Sequence, residues 1–248
     1  MYTQNVMAAT IVTFGLLLFP RPAAACSWAG TPSTPGALRS SDLVFLGTVV
    51  SVSSPLYSMR RTNADGSITI SGGTQPSEVR FSVVRTFRGV ATESITMRSS
   101  SGNSCDFTFA RGESWLIYAD VRDAVVSTHK CKRTRLQAEA SQDLRYLEGV
   151  ARGESLGVVS GQVFRRVTTP AGESVLKAVE DAMQIVGVVG GQRIATAPDR
   201  WGPYQLVLPP GDAQIWVERD GVVVSPGVLV RVKQGEVVEV QLAAEYEK

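Results

Sequence analysis

Short runs of β-branched and aromatic residues, many alternating with polar ones, dominate the chain after its first 40 residues. Residues 26–34 read as coil. Pro35 to Ser41 reads as one helical turn with Thr34 as its cap. Leu43 to Val52 is a strand run, and Glu78 to Phe87 alternates with Val79, Phe81 and Val83 on one face. The polar stretch 53–77 between them carries Asp65-Gly66 and Gly72-Gly73. With Ser67 to Ser71 between these turn signals, it reads as a hairpin or an insertion. Glu93 to Arg98, Ser114 to Ala119 and Ala124 to Thr128 complete a set of about five strands, with a polar loop over 99–104. One helix stands out, Leu136 to Leu147. Leu136, Ala140, Leu144 and Leu147 form an apolar stripe read as packing on the strands, and Gly149 is the stop.

The second half begins at Val158 to Val167. It continues through Gln184 to Val189, Arg193 to Ala197, Tyr204 to Leu208, Ala213 to Glu218, Val222 to Val224, Leu229 to Val232 and Val237 to Leu242. These runs are short and evenly spaced, with Gly, Pro and Asp between them, which is a β-sandwich pattern. The predicted fold is mainly β: a small five-stranded barrel with a flanking helix, then a sandwich. The boundaries are 26–148 for the barrel, 149–157 for a small polar linker and 158–248 for the sandwich. Few contacts are expected across the linker, so each half should fold by itself and proteases should nick there first.

The N-terminus changes the picture of where the protein works. Met7 to Phe19 is almost wholly apolar, and Ala23-Ala24-Ala25 precedes Cys26, so residues 1–25 read as a signal peptide cleaved after Ala25. The segment MYTQNV ahead of it has no Lys or Arg. No transmembrane helix is expected elsewhere. The reading is therefore a secreted or cell-envelope protein. Net charge is +2, with 25 basic and 23 acidic residues, which gives no reason to expect nucleic acid as a partner. There are 3 cysteines, Cys26, Cys105 and Cys131, so one must stay reduced, be modified or bridge to another molecule.

No catalytic constellation emerges, and the protein reads as a non-enzyme without a cofactor. The single histidine, His129, excludes a His-based zinc site and sits in a polar basic run as a solvated side chain. Lys130, Lys132, Arg133 and Arg135 form the one basic cluster, read as a solvated face where the helix starts. Gly187 to Gly191 lacks the Lys-Ser/Thr of a phosphate loop and reads as a turn, and Glu180-Asp181 reads as a polar loop.

Several segments in order carry a family resemblance. Ala25-Cys26-Ser27 places a cysteine directly after the signal. Asp42 to Val49 reads D-x-V-F-x-G-x-V, Gly102 to Phe109 reads G-x-S-C-x-F-x-F, and Gly112 to Ala119 reads G-E-x-W-L-I-Y-A. Cys131 and a basic run then lead into the helix. Residues 26–148 resemble the N-terminal domain of tissue inhibitors of metalloproteinases, in the divergent form of bacterial secreted proteins. That resemblance implies an OB-like five-stranded Greek-key barrel. It also implies an inhibitory ridge of Cys26, Ser27, Ser104 and Cys105, with the Cys26 α-amine and carbonyl chelating the zinc of a partner protease. The isolated protein itself would hold no metal. The same resemblance implies a Cys26–Cys105 disulfide and leaves Cys131 as a reduced or modified thiol. Trp28 stands where the family has a second cysteine, which removes one bridge and adds a bulky ring to the ridge.

Asp199 to Gly211, D-R-W-G-P-Y-Q-L-V-L-P-P-G, carries a second resemblance, to carboxypeptidase regulatory-like or transthyretin-like sandwich domains, with Tyr204, Leu206 and Leu208 pointing inward. Such domains are structural or adhesive. Two functions follow as expectations: a secreted binding module acting as a metalloprotease inhibitor through Cys26, or a structural or adhesive envelope protein. The rival reading of Cys26 is a lipid anchor. It would acylate the amine and leave Cys105 and Cys131 as the pair that could bridge.

Overall fold

The computed structural model describes residues 31–53, 56–63, 65–74, 77–90, 92–99, 107–168, 172–178, 182–199 and 203–245. The first half holds β1 (Leu43–Ser53), β2 (Leu56–Thr62), β3 (Ile68–Thr74), β4 (Ser77–Arg88), β5 (Ser94–Ser99), β6 (Ser114–Arg122), β7 (Val125–Ser127) and β8 (Arg135–Leu136). The ring β1-β4-β5-β7-β6 closes because β1 pairs with both β4 and β6, and the β5–β7 pairing is parallel within an otherwise antiparallel set. This is the OB-like five-stranded barrel expected. Register shifts between Val44/Phe45, Leu46/Gly47 and Val49/Ser51 bend β1 against β4, which helps so few strands to close. The hairpin β2–β3 fills the polar stretch between β1 and β4. The run predicted from Ala124 starts one residue later, because Asp123 and Ala124 both take positive φ in the turn between β6 and β7.

The apolar runs of β1 and β6 are continuous because both of their faces are covered. Phe45, Val49, Phe81, Met97 and Ile117 fill the barrel. Val44, Leu116 and Tyr118 point outward and are equally buried, under Ala37, Ala140 and Leu147. Phe107 and Phe109 enter the barrel from the G-x-S-C-x-F-x-F segment. Phe109 stands edge-on to Phe81 at 5.5 Å and to Trp115 at 4.8 Å. In G-E-x-W, the Glu113 carboxylate accepts from the Trp115 indole N–H at 2.9 Å and from the Ala110 N–H at 2.8 Å, which closes that loop.

Two helices cover the outer barrel face, α1 (Thr34–Ser40) and α2 (Ser141–Ala151). Ser33, rather than Thr34, is the cap of α1 and accepts from the Gly36 N–H at 3.4 Å, since the Thr34 side chain is taken up elsewhere. The predicted helix starts five residues late. Leu136 lies in β8, a single 3₁₀ turn spans Gln137–Glu139, and only then does α2 begin. Leu136 keeps its apolar role by packing on the barrel interior as a strand residue.

Gly149 is not the stop. It lies inside α2, and the residue that turns the chain after the helix is Gly153, just past the cap Arg152, with φ +78. The Glu154 N–H donates to the Gly149 carbonyl at 2.9 Å and the Gly153 N–H to that of Val150 at 3.0 Å, a Schellman closure. Gly149 is needed for close approach, because a β-carbon there would strike the Leu156 side chain and come within 2.8 Å of the Glu154 carboxylate. Alanine is the better helix former by about 1 kcal/mol, yet Gly149→Ala is expected to destabilise by about 1–3 kcal/mol through overpacking. Urea denaturation checks this, and a neutral or stabilising result would rule out the close approach.

The second half contains β9 (Gly157–Thr168), β10 (Ser174–Ala178), β11 (Gln184–Val189), β12 (Gln192–Thr196), β13 (Pro203–Leu208) and β14 (Gly211–Arg219). These are followed by β15 (Val222–Val223), β16 (Val228–Val232), β17 (Val237–Glu239) and β18 (Leu242–Ala244). One sheet is built on β9, which pairs antiparallel with β10 and β13 and parallel with β17 and β18. The other sheet runs β12-β11-β14, with β15 and β16 on β14. Val159, Val163, Tyr204, Leu206 and Leu208 of the first sheet meet Ile185, Ile194, Ile215 and Val217 of the second, so the predicted sandwich is present. The run predicted over Val237 to Leu242 divides into two strands, and the strand β10 had no sequence signal.

The stretch 149–157, read as a polar linker, is the end of α2, its closing turn and the first residue of β9. Side chains from both sides of it pack together. Tyr146, Leu156, Val158 and Val207 form a buried cluster with Leu38 and Val237. Fully burying side chains of this kind contributes roughly 1.5–3 kcal/mol each as an upper estimate, enough to hold the two halves together.

Candidate functional site

The most organised polar site lies where barrel and sandwich meet. Its centre is Asp143, in the first turn of α2 and only 1% exposed. Its Oδ1 accepts from Arg133 Nε at 2.5 Å, from Thr34 Oγ1 at 2.9 Å and from the Tyr118 hydroxyl at 3.0 Å; its Oδ2 accepts from Arg133 Nη2 at 3.2 Å. Arg133 comes from the segment before β8, Tyr118 from the outer face of β6 and Thr34 from the start of α1. The sandwich contributes Gln205 of β13. Gln205 Oε1 accepts from the Thr34 N–H at 2.8 Å, and its amide donates to Thr34 Oγ1 at 2.5 Å. A second amide bridge comes from Gln142, whose Oε1 accepts from the Val207 N–H at 2.9 Å and so covers the outer edge of β13.

Every oxygen of the Asp143 carboxylate is engaged with a donor, and a guanidinium compensates its charge in a two-pronged pairing. Such a group holds structure together and offers no proton for transfer. Burial, and then the Asp143 carboxylate, push the Tyr118 hydroxyl well above the usual tyrosine range, with Arg133 opposing in part. Burial alone raises Tyr204, whose hydroxyl donates to the Val240 carbonyl at 2.9 Å.

Both tyrosines therefore stay protonated in the folded protein after the unfolded chain begins to ionise near pH ~10. Their contribution is fully present below that pH and is lost as pH rises toward the folded values, by about 1.4 kcal/mol per pH unit for each tyrosine. Urea titrations at about pH 9 and about pH 11 should show this loss, and Tyr118→Phe should make it shallower. An unchanged slope in the variant would mean that Tyr118 does not report the site.

Beside this centre runs a cleft of about 790 Å³ between the two halves. Its walls include Ser33, Cys131, Arg135, Gln142, Asp199 and Gln241. Arg135 spans it, 3.9 Å from Asp143 and 3.6 Å from Asp199 of the sandwich. Among the described residues, no cluster of three or more His, Cys, Asp or Glu side chains could hold a metal ion.

The predicted ridge of Cys26, Ser27, Ser104 and Cys105, the Cys26–Cys105 bridge and Trp28 all lie outside the described residues. Cys131 is exposed on the turn after β7 and borders the cleft. His129 is exposed, as expected. The basic cluster is a correction. Arg133 is 6% exposed and paired with Asp143, while Lys132 binds Asp120 at 2.6 Å and the Ser40 carbonyl at 3.2 Å. Most of this run is an internal counterion set, because acidic partners on β6 and α2 fold onto it.

The sequence does carry a signal for Asp143: it sits three residues after Ala140 and four before Leu147, on the apolar stripe itself. Gln205 carried none, since a polar residue between Tyr204 and Leu206 looks like the wet face of an edge strand.

No family model matches this chain, and no curated protein matches it. Among solved structures, a fimbrial protein from Bacteroides ovatus is similar at 11% identity over 83% of this chain, with a TM-score of 0.23. The chain spans 45% of the length of that structure. Among the described residues, no helix is long and apolar enough to cross a membrane.

Proposed function

We propose that this is a non-catalytic protein of the secreted or cell-envelope space, whose two β domains act as one body to bind or brace a partner. The observation that carries this reading is the buried junction. Asp143, Arg133, Tyr118 and Thr34 from the barrel side interlock with Gln205 from the sandwich, so the domains present their surfaces in fixed relation. A structural or adhesive role uses such a body directly. The narrower reading is metalloprotease inhibition through the Cys26 amine, supported by the resemblance of the barrel to tissue inhibitors of metalloproteinases. Its chemistry is coherent, since a neutral amine can ligate zinc.

The mature N-terminus should first be fixed by mass spectrometry. Chain beginning at Cys26 with a free amine should then inhibit at least one member of a zinc-protease panel, and acetylating that amine should abolish the effect. A panel that stays fully active at high micromolar protein removes the inhibitory reading and leaves the structural one. A lipid on Cys26 would do the same and place the protein at a membrane surface as an anchored component.

A further inference from the structure

We infer that the sandwich domain positions the segment that follows the mature N-terminus, with Gln205 as the positioning residue. The inference extends the proposed function, because an N-terminus that acts on a partner must be held in place. The segment is gripped from both domains two residues apart, at Pro32 and Thr34. Arg133 Nη1 donates to the Pro32 carbonyl at 2.9 Å, and Gln205 takes the Thr34 N–H at 2.8 Å while donating to its hydroxyl. Thr34 is fully buried and Gln205 is 5% exposed, so water does not compete for these bonds. Ser33 caps α1, whose Ala37 N–H donates to the Ser33 carbonyl at 2.8 Å. With cleavage after Ala25, five residues lie between Cys26 and Pro32, a reach of at most about 20 Å. Chain length alone keeps Cys26 within that reach of the grip, and the grip requires the second domain.

In a barrel with a detachable appendage, loss of the sandwich contact would leave α1 unaffected. Here the Thr34 amide has its acceptor in the other domain. Hydrogen exchange on the full mature chain reads this directly. Gln205→Leu should speed exchange at residues 34–37 about tenfold, the effect of losing a buried hydrogen bond, while β11 and β14 amides keep their wild-type rates. Gln205→Asn, which preserves polarity but shortens the reach, should act in the same direction if the leucine variant does not fold. Gln142→Leu breaks the other amide bridge between the domains and should leave 34–37 at the wild-type rate.

Wild-type exchange at 34–37 in the Gln205 variants would overturn the inference. So would equal acceleration by Gln142→Leu, which would mean that domain docking in general, and not this grip, protects the segment. The readout is independent of inhibition: a protease panel without a target, combined with the stated exchange pattern, removes the inhibitory reading and keeps the positioning role.

Discussion

Replacing Asp143 with alanine is expected to destabilise the protein by about 3–5 kcal/mol, because it leaves a buried guanidinium without its counterion. Arg133 is 6% exposed and places two nitrogens on this carboxylate. The same change removes the acceptor of the Tyr118 hydroxyl and of Thr34 Oγ1, both fully buried. Removing one partner of a satisfied network costs more than the network contributes in net terms. Asp143→Asn should therefore fall between wild type and alanine, since it keeps an acceptor and loses the charge. Replacing both members, Asp143→Leu with Arg133→Met, should recover much of the loss. Urea denaturation of the four proteins checks the order. An alanine variant within about 1 kcal/mol of wild type, at an unchanged slope, would show that the pair is not desolvated as the geometry implies.

The second large effect is expected at Gly161, in the middle of β9. A β-carbon there would overlap the carbonyl of Val240, where the chain passes from β17 to β18. The carbonyl cannot withdraw. It accepts from the Tyr204 hydroxyl at 2.9 Å, and the Val240 N–H donates to the Ser160 carbonyl at 2.8 Å. Gly161→Ala should cost about 3 kcal/mol or more, at the upper end of overpacking effects. Gly172 is the contrast. Its φ of +81 disfavours alanine, but nothing lies within 4 Å of a β-carbon there, so Gly172→Ala should cost only about 1–2 kcal/mol. Thermal and urea unfolding of the two variants separate steric overlap from backbone strain. Equal costs at the two positions would refute the close crossing.

Part of the architecture was written in local pattern. Runs such as Leu43 to Val52 and Ser114 to Ala119 announce strands because β-branched and aromatic side chains suit a pleated surface, whichever strand lies beside them. The order of those runs, with turn residues between, was enough to predict a barrel followed by a sandwich. Phe107 and Phe109 likewise take interior positions at the end of a motif visible in the chain.

Local pattern determined the mainly β class, most strand positions and the existence of one amphipathic helix; tertiary structure decided where that helix begins and ends and what the polar residues are for. Leu136 satisfies a helical stripe and a strand equally well, and its pairing opposite Trp115 selected the strand. Gly149 and Gly153 are alike as stop signals, and Leu156 packing on the former left only the latter to close the helix. Arg133 is a solvated base by local pattern, and Asp143, ten residues on, makes it a buried ion-pair partner in the fold. Gln205 lies 171 residues from Thr34, and its role exists only once the two domains are docked. The physical reason is common to all four. Burial of a polar or small residue is set by what arrives from elsewhere in the chain, and a single strand's alternation reports one face of a sheet but not whether another domain will cover the second.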